Sequence, residues 1–200
     1  MFGLYARTLH GRDDFEAMAD WDPQALKLKE GHGWKAKPGY KIFVADHGAI
    51  RFDLPKEWVV VPGPKSIRFY DRQPPDDNCR LEVSLIRHPP IDWSGLPLPK
   101  LIREVVKDGP KDAPNIGDAH TLGRPNLELV WTELSFIDAS ERRDARSRVC
   151  LARAPNTHAV ITLDFWKDDR SRLGPVWEAL LSSLELGLSI KDPTPGPVPM

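Results

Sequence analysis

One cluster of basic residues has the type and spacing to bind anionic groups. The segment ERRDARSR, at positions 141–148, concentrates four arginines: Arg142, Arg143, Arg146 and Arg148. Guanidinium groups bind carboxylates and phosphates through paired hydrogen bonds. We therefore predict that these four residues form a binding patch for an acidic protein or for phosphate groups. The alternative is a solvated hairpin end, in which Glu141 and Asp144 neutralise the arginines.

The other reactive side chains form no recognisable catalytic or metal-binding pattern. The six histidines include no HxH or HExxH spacing, and the serines include no GxSxG motif. No Walker loop or GxGxxG motif is present. Adjacent acidic residues in a strand point to opposite faces, and we interpret Asp168 and Asp169 as the cap of the last helix. The sequence therefore predicts no catalytic residue, no metal site and no cofactor.

The two cysteines, Cys79 and Cys150, lie far apart in the sequence and neither has a CxxC partner. A zinc-binding framework of closely spaced cysteines is therefore excluded. Free cysteine is often buried, so we interpret both residues as small buried thiols. A disulfide between them, or a nucleophilic role, are the alternatives.

Charge and hydropathy limit the classes of partner. There are 28 lysines and arginines and 29 aspartates and glutamates, which gives a formal net charge of −1. General nucleic-acid binders usually carry a basic excess, so this balance argues against nucleic acid. The first twenty residues contain no apolar segment typical of a signal peptide, and no apolar run of about 18 residues predicts a membrane span. We expect a cytoplasmic protein.

The elements that position these side chains are mostly β-strands. In the first half, alternation predicts strands at KIFVAD (41–46), AIRFDLP (49–55), SIRFYD (66–71) and RLEVSLIRH (80–88). Phe52 and Leu54 are expected to face the core. Pro55 ends its strand, and Trp58 is expected to anchor the segment that leaves it. A helix follows at PKLIREVVKDG (99–109).

The second half repeats the pattern of strands followed by a helix. Strands are predicted at NLELVWTELSFID (126–138), SRVCLARA (147–154) and HAVITLDFW (158–166), with a weak strand at DAHTL (118–122). DASERRDAR (138–146) is expected to be a charged hairpin loop. The apolar stripe from Leu173 to Leu184 predicts a helix that ends at Gly187. Strand runs separated by helices favour an α+β fold with an antiparallel sheet.

The chain is expected to form one folded domain with two extensions. Residues 1–39 are predicted to be an N-terminal extension that contains a helix broken near Asp22 and Pro23. Residues 40–187 form the domain. Residues 188–200 carry four prolines in their last ten positions and are predicted to be a disordered, proline-rich tail.

Three short segments resemble the PsbP-like fold. They are DLPKEW (53–58), ITLDFWKDD (161–169) and PVWEALLSSLEL (175–186). The resemblance implies an antiparallel sheet of about six strands sandwiched by helices. Members of this superfamily include a photosystem II extrinsic subunit, a regulator of the GTPase Ran, and bacterial proteins that look like adaptor chaperones. The members share no catalytic motif, so the resemblance carries no functional residue over to this chain.

Together these observations predict a non-enzymatic protein-binding or adaptor module. Its partner would be another protein, and a homodimer is an open alternative. The rival hypothesis is an enzyme or small-ligand-binding protein whose site is assembled only in three dimensions. An adaptor should expose an apolar groove or patch, whereas an enzyme should have a concave pocket with clustered polar groups of shifted pKa.

Overall fold

The computed structural model describes residues 33–90, 92, 95–107 and 115–188. The predicted broken helix near Asp22 and Pro23 and nearly all of the predicted proline-rich tail lie outside the described residues. The first described strand begins at Tyr40 and the last ends at Leu186. The proposed division into an extension, a domain and a tail stays a prediction.

The described residues form eleven strands and two helices. The strands are β1 (Tyr40–Ala45), β2 (Ile50–Pro55), β3 (Val59–Pro62), β4 (Ile67–Tyr70), β5 (Cys79–Arg87), β6 (Asn115–Ile116), β7 (His120–Arg124), β8 (Leu127–Asp138), β9 (Arg143–Ala154), β10 (Thr157–Trp166) and β11 (Glu185–Leu186). The helices are α1 (Leu98–Lys107), which lies between β5 and β6, and α2 (Arg170–Ser183), which follows β10.

The strands form two antiparallel sheets. The larger sheet has the order β3-β4-β5-β10-β9-β8-β6, and β7 also pairs with β8. The smaller sheet has the order β1-β2-β11. The predicted α+β class with an antiparallel sheet is confirmed. The larger sheet has eight strands rather than about six, because β5 pairs with β10 and joins the two strand runs into one sheet.

One face of the larger sheet forms the main core with α2 and the smaller sheet. Alternate residues of β10, namely Ile161, Leu163 and Phe165, are almost completely buried. Alternation places every second side chain on the same face, so one strand presents a continuous apolar row. On α2, Leu173 and Trp177 are spaced by one helical turn and pack into the same cluster, as the apolar stripe predicted.

Three phenylalanines join the two sheets. The rings of Phe43 and Phe52, in β1 and β2, have centroids 5.2 Å apart, and Phe69 of β4 lies 4.8 Å and 5.5 Å from them. Phe52 and Leu54 are fully buried, and Trp58 is 4% exposed in the same cluster. The predictions that Phe52 and Leu54 face the core and that Trp58 anchors the segment after β2 are confirmed. Edge-to-face and tilted packing of this kind adds to the burial of the rings.

The opposite face of the larger sheet is covered by α1. Leu98, Ile102 and Val106, each one turn after the last, form a second cluster with residues of β8 and β9 such as Val130 and Val149. The two helices therefore lie on opposite faces of the sheet. The helix predicted at 99–109 is confirmed from its start to Lys107, the last residue described there.

Three local predictions need correction. β3 was missed because its four residues, VVVP, show no alternation of apolar and polar side chains. Its strand conformation comes from pairing with β4. The loop predicted at 138–146 is shorter, since β9 begins at Arg143 opposite Asp138. α2 begins at Arg170 and ends at Ser183, earlier than predicted at both ends, and β11 occupies the residues before Gly187.

We expect Phe52→Ala to destabilise the protein by about 3–5 kcal/mol, because it opens a cavity where three rings meet. The matched control is Val44→Ala on β1, whose side chain is exposed and should change stability by about 0.5 kcal/mol or less. Urea unfolding followed by tryptophan fluorescence measures both. Equal effects of the two substitutions would contradict the role assigned to the phenylalanine cluster.

Candidate functional site

A groove runs between the start of α1 and the edge strand β7, and we call it the α1–β7 groove. It encloses about 310 Å³. One wall is formed by residues 97–99 and the other by residues 121–123, while Glu128, Leu129 and Arg153 line it from β8 and β9. This volume is at the small end of the range for ligand-binding clefts.

The first wall is held in place by the start of α1. Leu98 is buried against the sheet, and the main-chain N–H groups of Lys100 and Leu101 donate to the carbonyl oxygen of Pro97. Proline is tolerated in the first helical turn because the N–H groups there have no partner within the helix. Pro97 and Pro99 therefore stiffen the wall without weakening the helix.

A transverse row of side chains crosses the sheet and reaches the groove. The strand registers align Ile86, His158, Arg153, Glu128 and Gly123, from β5 to β7. These residues share the sheet face that carries α1, because cross-strand partners point to the same side. Glycine ends this row, so the edge strand β7 adds no side chain to the groove at this position.

The charges at the groove are satisfied by each other. Nε and Nη2 of Arg153 lie 2.8 Å and 2.6 Å from Oε2 of Glu128, and Nη1 donates to the carbonyl oxygen of Leu96 at 2.7 Å. Burial lowers the pKa of His158, and the neighbouring His88 and Arg153 lower it further. The neutral form of His158 is therefore favoured, and the paired charges leave the groove without a net charge.

Exposed apolar side chains flank the groove. Leu96 beside the first wall is 47% exposed, and Ile86 at the far end of the transverse row is 40% exposed. Leu122 is 41% exposed, but alternation directs its side chain to the opposite face from Gly123, so it is its main chain that lines the groove. Exposed apolar residues around a concave site are typical of an interaction surface, and the groove matches the apolar feature expected of a binding module.

The four predicted arginines do not lie on one face. Arg142 is exposed in the turn after β8 and has a positive φ of 51°. Arg143, the first residue of β9, stacks over Trp166 at 4.8 Å and pairs with Asp168 at 3.0 Å. Because side chains alternate along a strand, Arg146 and Arg148 point to the opposite face from Arg143.

Arg148 is built into the core-facing side of the sheet. Its side chain is 8% exposed, its Nε lies 2.9 Å from Oε2 of Glu133, and its guanidinium lies over the rings of Trp131 and Phe165. Arg170 at the start of α2 contacts the other oxygen of Glu133 at 3.0 Å. Glu133 thus links the sheet to the helix through two arginines. The prediction that the four arginines bind a partner stays a prediction.

A second polar cluster lies on the α1 face, toward β4. Asp164 accepts hydrogen bonds from Ser147 at 2.6 Å and from Arg80 at 3.2 Å. Glu82 lies 3.5 Å from Nε of Arg68 and also contacts Arg80. Each carboxylate is paired with a guanidinium, which is the arrangement of a stabilised sheet face rather than of an acid–base pair.

Both cysteines are buried free thiols, as predicted. Burial raises the pKa of Cys79 and of Cys150 well above the usual value for a thiol. The thiolate is the nucleophilic form, so both residues are poorly suited to nucleophilic chemistry. Among the described residues, no group of three or more His, Cys, Asp or Glu side chains is arranged to hold a metal ion.

The groove was not predicted from the sequence, although one signal was present. Gly123 interrupts the strand HTLGR, and an isolated glycine in a strand often marks a place where another backbone approaches closely. A glycine alone does not indicate which segment faces it. Residues 97–99 and Arg153 come from distant parts of the chain and meet there only in the folded sheet.

The sequence and its relatives define the family. An uncharacterized protein of Nostoc sp. (strain PCC 7120), alr1449, is 44% identical over 177 residues, which are 88% of this chain and 92% of the relative. The family model described as Alr1449 matches residues 41–190. The chain belongs to the Alr1449 family. All the residues that line the groove fall within the part that the Alr1449 model matches.

Solved structures show that this Alr1449-family chain has a PsbP-like fold. The cyanobacterial PsbP protein CyanoP of Synechocystis sp. PCC 6803 has a TM-score of 0.54 at 12% identity and covers 81% of this chain and 99% of its own. The Ran-binding protein Mog1p of Saccharomyces cerevisiae has a TM-score of 0.50 at 10% identity, over 74% and 95%. The resemblance to the PsbP-like fold is confirmed.

A protein of Bacteroides thetaiotaomicron has the same fold in part, with a TM-score of 0.55 at 13% identity. The match covers 75% of this chain and 49% of that protein, so this chain spans about half of its length. In the described part of the Alr1449-family chain, neither helix combines the length and apolar character needed to cross a bilayer.

We expect Arg148→Ala to destabilise the protein, whereas Arg142→Ala should leave its stability unchanged. Removing Arg148 leaves a largely buried carboxylate with only Arg170 beside it, which should cost about 3 kcal/mol. Arg142 is exposed in a turn, and its removal should cost about 0.5 kcal/mol or less. Urea unfolding of the two variants measures the difference. A fully stable Arg148→Ala variant would contradict a structural role for this residue.

Proposed function

We propose that the protein is a non-enzymatic protein-binding module that contacts its partner through the α1–β7 groove. The observation that carries this proposal is the combination of an apolar first wall, the exposed Leu96 beside it, and a pair of charges that neutralise each other. Binding surfaces gain affinity chiefly from apolar contacts at their centre. Because Arg153 and Glu128 neutralise each other, the groove does not require a charged partner.

The same geometry supports binding more than catalysis. A catalytic pocket needs a nucleophile or a general base within reach of a bound substrate. Arg153 and Glu128 occupy each other in the groove, and the two cysteines are buried elsewhere as thiols. The α1–β7 groove therefore offers a surface for contact but no evident reacting group.

The fold adds support without identifying a partner. Mog1p, which shares the fold at 10% identity, is a Ran-binding protein. A fold can host many functions, so this likeness favours a binding role and gives no reason to expect Ran as the partner. The cytoplasmic location and the alternative of a homodimer stay predictions.

We propose a second contact surface for an acidic partner at the turn between β8 and β9, where Arg142 and Arg143 are exposed. Arg143 also pairs with Asp168. Arg148 is committed to Glu133 and would act only by holding the strand in place.

Site-specific photo-cross-linking in the native host tests the proposed function. A benzophenone amino acid replaces the exposed Leu96 beside the first wall of the groove, Arg142 at the turn, or the exposed Val44 on β1, which does not line the groove. We expect a discrete protein adduct from position 96 and none from position 44. Mass spectrometry identifies the adduct, and an adduct of twice the chain mass would identify a homodimer.

Two outcomes would contradict the groove proposal. An adduct at position 142 with none at 96 would place the contact at the arginine turn. No protein adduct at any of the three positions, together with a metabolite retained in native mass spectra, would support the rival small-ligand function.

A further inference from the structure

The strand β7 forms one wall of the α1–β7 groove and lies at the edge of the larger sheet. It pairs with β8 on one side, and in the described residues no strand pairs with its other side. The edge of a sheet presents main-chain N–H and C=O groups that can pair with a further strand. The orientation of these groups decides whether the edge can be used.

The strand register shows which groups of β7 point outward. The N–H of Gly117 donates to the carbonyl oxygen of Glu133 at 2.8 Å, so the main chain of Glu133 bonds toward the β6–β7 side. Bonding direction alternates along an antiparallel strand. Leu129 and Trp131 therefore also bond toward β7, and their partners there are Leu122 and His120.

The residues between these partners point the other way. Thr121 and Gly123 direct their main-chain N–H and C=O groups away from β8, out of the sheet edge. Both residues are exposed, and both line the groove. An unpaired strand edge and an apolar groove thus coincide at the same three residues, 121–123.

Gly123 also keeps the groove open. A Cβ atom added at this position would meet no atom within 4 Å, and the residue is not among the glycines with positive φ. A side chain here would therefore be tolerated by the fold and would project into the groove. The backbone conformation does not require glycine here, and its absence of a side chain leaves room for another chain to approach closely.

The opposite edge of the larger sheet is protected. The N–H of Gly63 donates to the carbonyl oxygen of Ser66, and the same alternation directs the main chain of Val60 and Pro62 outward from β3. Proline has no N–H, so this four-residue edge offers a single outward donor, that of Val60. Proline on an edge strand is a recognised defence against pairing, and β7 contains none.

We propose that β7 accepts an extended segment of the partner protein as an additional strand. This inference rests on the proposed function and specifies the kind of partner. The outward N–H and C=O groups of Thr121 and Gly123 pair with the main chain of the segment, and every second side chain of the segment enters the groove. Because the groove carries no net charge and has apolar walls, the entering side chains are uncharged and apolar.

A segment of another protein fits this edge better than a second copy of the chain. Two copies that paired through β7 would continue one sheet, with the α1 faces of both copies on the same side. The residues of β7 that face the α1 side are Thr121 and Gly123, so a second copy paired through β7 would place no apolar side chain in the groove. An extended segment with apolar residues at alternate positions would fill it.

Binding of selected peptides to full-length variants tests this inference. Random linear peptides displayed on phage are selected on the purified chain, and the best peptide is synthesised. Gly123→Pro removes the outward N–H but no bond to β8, and we expect its affinity for the peptide to fall about tenfold. Gly123→Ala keeps this N–H and adds one methyl group to the groove, so its affinity should lie between those of the wild type and Gly123→Pro.

Two further measurements test the inference independently of whether Gly123→Pro folds. A peptide that is N-methylated at alternate amides should lose about tenfold in affinity in one of the two methylation registers. Amide hydrogen exchange at Thr121 and Gly123 should be fast in the free monomer and slow on addition of the peptide. Unchanged exchange, unchanged affinity of a folded Gly123→Pro variant, or failure to select any peptide would overturn the inference.

The outcomes separate this inference from the proposed function. A protein cross-link at position 96 that persists in Gly123→Pro would overturn strand addition and leave protein binding in place. Slow exchange of Thr121 and Gly123 without peptide would also overturn the inference, because the chain itself would cover the edge. Analytical ultracentrifugation then shows whether the cover is a second copy or a segment of the same molecule.

Discussion

The pairing of β5 with β10 is the constraint on which the rest of the structure depends. Nine consecutive residue pairs, from Thr157 opposite Arg87 to Phe165 opposite Cys79, join strands that are far apart in sequence. This ladder turns two separate meanders into one sheet, gives α1 and α2 two faces to cover, and sets the transverse row that ends at Gly123. Shifting the register by one residue would turn the apolar side chains of β10 to the other face.

The strands that could be predicted are those with one face in the core. In β10 and β5, burial of one face imposes the alternation that the sequence shows. β3 and the first residues of β9 could not be predicted this way. β3 is half-buried along its length, and Arg143 and Asp144 are exposed, so their strand conformation comes from pairing with β4 and β8 rather than from local preference.

Strand pairing, which the local sequence does not show, also limited what could be predicted of the candidate site. If ERRDARSR formed a loop, its four arginine side chains could meet on one surface. Once β9 begins at Arg143, alternation separates Arg143 from Arg146 and Arg148 and directs Arg148 to Glu133. The groove was beyond prediction for a different reason: its walls belong to segments that become neighbours only through the β8–β9 and β7–β8 registers.

The edge strand β7 is held in place by contacts within the chain itself. Arg124 at the end of β7 donates to the carbonyl oxygens of Leu181, Ser182 and Leu184, at the end of α2. The last carbonyl groups of a helix lack partners within it, and a cation there also complements the helix dipole. The positive charge of Arg124, which could otherwise discourage strand pairing at the edge, is therefore used to anchor β7 to α2. With β7 held by β8 and α2, and the facing wall stiffened by two prolines, the ordering cost of strand addition falls on the incoming segment alone.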